Sequence, residues 1–135
     1  MSSTLPGTTE TTCNLHSVKL MTELVGVNLG QGHSALNTQS RTSRTETYFN
    51  GGSQISQWSV WTALETYLQI QEEFGWEPIT AAYQEYYYNL TTQPSGDSAE
   101  FNEYTKWISL KTGYNLAPFL EAWGFPITTA TKSSI

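Results

Sequence analysis

The chain has 135 residues, about one domain's worth, and carries 5 Trp, 8 Tyr and 5 Phe against only 13% charged residues, so large rings rather than ion pairs are expected to drive its folding. Six Lys and Arg against 12 Asp and Glu give a net charge of -6 with no basic run, which argues against nucleic acid as a partner. Cys13 stands alone, excluding an internal disulfide framework and any zinc site built on cysteine pairs.

The opening MSSTLPGTTE has neither the basic start nor the apolar run of a signal peptide, and no later stretch is apolar enough to span a bilayer. It reads as a loop, and a beginning in a loop points to a piece of a longer protein. The first periodic segment is TTETTCNLHSVKLMTELVG. Thr9 as cap, Glu10 in the first turn and Gly26 as a left-handed stop predict a helix over 10–25. Leu15, Val18, Met21 and Val25, with Leu20 and Leu24 beside them, read as a broad apolar face. Residues 27–52 are rich in Gly, Ser, Thr and Asn and show no sustained period, so they are expected to form a long connection with at most a short helical turn inside.

Val60, Ala63, Tyr67, Ile70 and Phe74 form one stripe, and Trp58, Trp61, Leu64 and Leu68 its neighbour, which predicts a helix buried over much of its girth, capped by Ser53 and stopped at Gly75. After Pro78, the spacing of Ile79, Ala82, Tyr83, Tyr86, Tyr87 and Leu90 predicts another helix over 77–90. Asp97 and Glu100 are placed as a capping box for a fourth, over 98–112, with Phe101, Tyr104, Trp107 and Ile108 turned inward. Gly113 ends it, Asn115 caps a fifth, Phe119, Leu120 and Trp123 make its buried edge, and Gly124 and Pro126 stop it. Only FPITTAT hints at strand alternation, so the fold class is mainly α, with about five helices and no internal repeat.

Few residues carry chemistry by pattern alone. His16 and His33 lack the spacing that sets two imidazoles around zinc, and His16 reads as a partly buried helix residue. Glu72 with Glu73 and Glu100 with Glu103 read as solvated helix faces. Asn89-Leu90-Thr91 is a glycosylation sequon that matters only in a secretory setting. Exposed Trp and Tyr rings are good platforms for sugars, but rings at helical spacing belong to a core first.

Three segments, in order, resemble one family. TETTCNLHSVKLMTEL resembles the helix that carries Glu-x-x-x-Asn in enhancin-like zinc metallopeptidases, the mucin-degrading family also called M-sixty-like. WTALETYLQIQEEFGWEPITAAYQEY resembles that family's helix pair around Phe-Gly-Trp, and SLKTGYNLAPFLEAWGFPI its Gly-x-Asn-Leu-x-x-(aromatic)-x-x-x-Trp-Gly ending. The similarity covers residues 8–128.

The resemblance implies the orthogonal helical subdomain found in the C-terminal half of a gluzincin metallopeptidase, spanning 9–128, with an N-terminal loop over 1–8 and a tail over 129–135. It implies zinc in the intact protein, with Glu10 as the ligand that follows an H-E-x-x-H helix, and Asn14 orienting Glu10 or a nearby backbone group. That preceding helix is absent from these 135 residues, so no catalytic residue is assigned and this chain alone is expected to bind no zinc tightly. Without the family, Glu10 is accounted for as a carboxylate complementing a helix dipole. The implied partners are a glycoprotein or mucin substrate and the N-terminal part of the peptidase domain, and the implied location is extracellular or at the cell surface. The alternative is a non-catalytic glycoprotein-binding or adhesion module on the same fold.

Overall fold

A computed structural model describes residues 8–135. Among them are eight α-helices joined by short 3-10 and π turns, and no strand: α1 (Thr8–Leu20), α2 (Leu29–Gly32), α3 (Thr38–Asn50), α4 (Val60–Phe74), α5 (Glu77–Gln84), α6 (Asp97–Thr112), α7 (Ala117–Ala122) and α8 (Thr129–Lys132). The mainly α expectation holds, and all five expected helices are present. Of the loop expected over 1–8, residues 1–7 lie outside the described residues, and Thr8 already belongs to α1.

The centre of the molecule is α4, in which every residue from Thr62 to Leu68 is buried. Its two adjoining apolar stripes demand neighbours on several sides, and α1, α3 and α5 all pack on it. The cap is Ser59, whose hydroxyl accepts from the Thr62 backbone N–H at 3.1 Å, and not Ser53. Ser53 instead lies in left-handed backbone at φ 53°, next to Gly52 at φ 87°, inside the turn that brings the chain from α3 to α4. Gly75, at φ 78°, stops α4 as expected.

The largest departure from the sequence reading is α3. A thirteen-residue helix, TQSRTSRTETYFN, fills what reads as a connection. Only Tyr48 of this helix is buried, so it has no apolar stripe to betray it. It is held by charge instead. Arg41 Nε and Nη2 reach Glu65 Oε1 at 3.0 and 2.6 Å, Arg41 Nη1 pairs with Glu72 Oε1, and Arg44 Nη2 lies 3.3 Å from Glu65 Oε2. Glu65 is 2% exposed in the middle of α4, where an unpaired carboxylate would be costly. The two carboxylates outweigh burial of the Arg41 guanidinium and raise its pKa.

Three smaller corrections concern ends and faces. The first helix already includes Thr8, so Thr9 is not its cap. It continues through a π turn, Met21–Val25, to Gly26 at φ 75°. Leu15 and Val18 enter the core, while Leu20, Leu24 and Val25 are exposed. Before α6 the cap position is Gly96, with no side-chain cap bond, so Asp97 and Glu100 act in the first turn and form no capping box.

The aromatic C-terminal stretch closes the core. The cap position of α7 is Leu116 and not Asn115; Asn115 Oδ1 accepts from Ala117 N at 3.0 Å in the turn just before it. Trp123 is 1% exposed and stacks on Tyr48 at 5.4 Å between ring centroids. Phe125 meets Phe101 at 4.3 Å and Trp58 at 5.5 Å. Residues 129–135 carry α8, fastened to α6 through Asn102, whose Oδ1 accepts from Thr128 N at 2.8 Å.

Candidate functional site

The site the sequence points to lies on α1. Glu10 is exposed in the first turn and Asn14, four residues on, is half-buried. A spacing of four puts the two side chains on neighbouring positions one turn apart. Glu10 also heads a stripe of exposed residues at steps of three and four, namely Cys13, Ser17, Leu20 and Leu24. The opposite side of α1 carries buried Thr11, Leu15 and Val18.

Two attachments to other elements, at Thr11 and Lys19, fix the rotation of α1. Thr11 Oγ1 donates to Val60 O at 3.4 Å at the head of α4. Lys19 Nζ donates to Thr80 Oγ1 of α5 at 3.1 Å and sits 5.7 Å above the Trp76 ring. Within the helix itself, Thr22 Oγ1 donates back to Val18 O at 3.0 Å, where the π turn begins. Glu10 therefore extends from a rigid support, the condition under which a carboxylate serves as a metal ligand. Among the described residues, no group of three or more His, Cys, Asp or Glu is placed to hold a metal ion. A catalytic zinc takes three protein ligands, and no such set is assembled among the described residues.

The histidines separate. His16 is exposed, not partly buried as its position in the pattern implied, and joins an open groove against α5. His33 caps a 3-10 turn, its Nδ1 accepting from Ala35 N at 3.1 Å. That bond places the ring proton on Nε2. The His33 ring lies 4.6 Å from that of Trp61.

Sequence reasoning did not find two further features. Tyr67, Tyr83, Tyr86 and Tyr104 converge from α4, α5, the π turn Glu85–Asn89 and α6. Burial pushes the Tyr67 and Tyr104 hydroxyls well above 10, and nearby tyrosines reinforce the shift. The second feature is the groove along α5, with about 620 Å³ at its tyrosine end and about 680 Å³ at its Trp76 end. The two ends share Thr80 and Gln84. A run of Tyr at 86–88, which no amphipathic helix can bury whole, was the available signal.

Comparison with known proteins joins these observations. The family model described as Peptidase M60, enhancin and enhancin-like, matches residues 2–124. TRPM8 channel-associated factor 2 of Bos taurus is 44% identical over 130 residues, covering 96% of this chain and 14% of that protein. The human protein of that name is 43% identical and the TRPM8 channel-associated factor homolog of Danio rerio 37%, with the same coverage. The chain thus spans about one-seventh of the length of these relatives. No solved structure matches it significantly. With a match across most of its length, and the helical architecture expected from its three motifs, the chain belongs to the enhancin and enhancin-like peptidase M60 family.

Proposed function

We propose that this chain is the C-terminal helical part of a gluzincin-type zinc metallopeptidase domain, whose intact form cleaves glycosylated or mucin-type proteins. In this reading Glu10 is one zinc ligand and Asn14 steadies it. When bound, the metal would act as a Lewis acid toward water and the peptide carbonyl. The chain's own part is to hold a carboxylate still at an exposed helix end, with the aromatic C-terminal stretch as scaffold behind it. The observation that carries the reading is the exposure of Glu10 on a helix fixed to both α4 and α5. The family resemblance also favours an extracellular or cell-surface setting.

The test is zinc content and peptidase activity of the full-length protein containing this chain, with Glu10→Ala as the variant. Loss of most bound zinc with the fold intact is the expected result. Equal zinc and equal activity in the variant would remove the ligand assignment.

A second reading, a non-catalytic binding module, is favoured by the relatives' names, which describe channel-associated factors. It predicts a full-length protein that holds no zinc and cleaves no glycoprotein, yet folds and retains a partner.

A further inference from the structure

We propose that the tyrosine end of the α5 groove is a binding site for a neutral saccharide, with Tyr87 and Tyr88 as its stacking platforms. The local cause is the π turn Glu85–Asn89, closed by the Leu90 N–H donating to Glu85 O at 3.1 Å. Such turns widen the helix and turn side chains out of register. Tyr86 goes inward, its hydroxyl donating to Glu100 O at 3.4 Å, while Tyr87 and Tyr88 are left 81% and 73% exposed. Their rings meet edge to face at 4.8 Å and 79°.

The turn is anchored. Glu85 accepts from Lys111 Nζ and from Asn89 Nδ2, each at 2.5 Å, and Gln93 Nε2 donates to Tyr86 O at 2.8 Å. The rings therefore project from a fixed base, which lowers the ordering cost of binding. Around them stand His16, Thr80, Gln84 and Gln93. No carboxylate or aliphatic side chain lines this end, and the Lys19 ammonium beside it is already donating to Thr80 Oγ1 at 3.1 Å. An apolar peptide anchor finds no aliphatic pocket here, and a cationic ligand finds no carboxylate. A sugar ring finds an aromatic face for its C–H side, and amides and a hydroxyl for its rim. The proposal stands on these residues alone, whether or not Glu10 ligates zinc.

The experiment is a two-dimensional amide NMR titration of this chain with methyl β-D-galactopyranoside, using mannitol as a polyol without a ring face. Saturating shifts clustered over residues 84–93 are expected, with none from mannitol. Tyr87→Ala and Tyr88→Ala, at exposed positions that leave the melting temperature unchanged, should each weaken binding about tenfold. Glu10→Gln should bind as the parent does, even if zinc is lost from the full-length protein. The proposal is overturned by the absence of saturating shifts in the folded chain, by an equal response to mannitol, or by unchanged affinity in the double tyrosine variant. Concentration-dependent line broadening that the tyrosine variants abolish, without sugar-induced shifts, would assign the patch to contact with a second copy of this chain and overturn it likewise.

Discussion

Arg41 on α3 grips Glu65 on α4 through two nitrogens, Nε at 3.0 Å and Nη2 at 2.6 Å from the same carboxylate oxygen. The side chains are 15% and 3% exposed, so neither charge can fall back on water. Glu65→Gln is expected to destabilise the chain by about 3 kcal/mol, because Arg41 and Arg44 lose a buried partner together. Glu72, at 47% side-chain exposure, is the control: Glu72→Gln should cost about 1 kcal/mol or less. Urea unfolding of the two variants measures the contrast, and equal losses would refute the buried pair as the anchor of α3.

Tyr48 carries a second link between distant segments. Its hydroxyl donates to Trp123 O at 2.9 Å and accepts from Trp58 Nε1 at 2.9 Å, both in the buried core. Tyr48→Phe keeps the ring but leaves a buried indole N–H and a buried carbonyl unmet, at a cost of about 2 kcal/mol or more. Near-ultraviolet circular dichroism should report the altered Trp58 environment, and a variant as stable as the parent would contradict the bond network.

Two glycines separate strain from collision. Gly26 sits at φ 75° with nothing near its would-be Cβ, whereas Gly124, at φ 88°, would press a Cβ against the Ser53 carbonyl oxygen. Gly26→Ala is expected to cost about 1 kcal/mol from left-handed backbone alone. Gly124→Ala should cost clearly more, since backbone must move to relieve the overlap. Thermal unfolding orders the pair, and the reverse order would show that the approach of Gly124 to Ser53 is not tight.

Acid titration should expose the anchor of the π turn. Hydrogen bonding from Lys111, then from Asn89, holds the Glu85 carboxyl below its ordinary 4.5. A depressed folded-state pKa means that this contribution to stability is complete above about pH 4.5 and drains away as pH falls through the folded value. In Lys111→Met, the Glu85 side-chain carbon resonance should titrate at higher pH than in the parent. An unchanged titration would show that the contact does not persist in solution.

What the sequence revealed follows from how each element is held. The helices of α4, α5 and α6 bury rings and aliphatic groups at steps of three and four, and that period is written in the residues themselves. In α3 only Tyr48 is buried, and its determinants, Arg41 and Arg44, find their meaning in Glu65 more than twenty positions away. The legible hint was Glu65 itself, a lone acid inside the apolar stripes of α4. On α1 the period was read correctly but the face was not, since Leu20, Leu24 and Val25 continue the apolar pattern without entering the core. For Glu10, residue type and position supported a dipole role as well as a ligand role, and only the family motif distinguished them.

The Lys19–Thr80 contact makes α1 a lever with a locked fulcrum. Because successive helical residues are set about 100° apart around the axis, a slip of one position at that contact would swing the distant acid to another quarter of the compass. Aim at one end of the helix is thus shared between the Thr11–Val60 bond beside it and a contact nine residues away, and substitutions beside α5 would be felt at the acid as well.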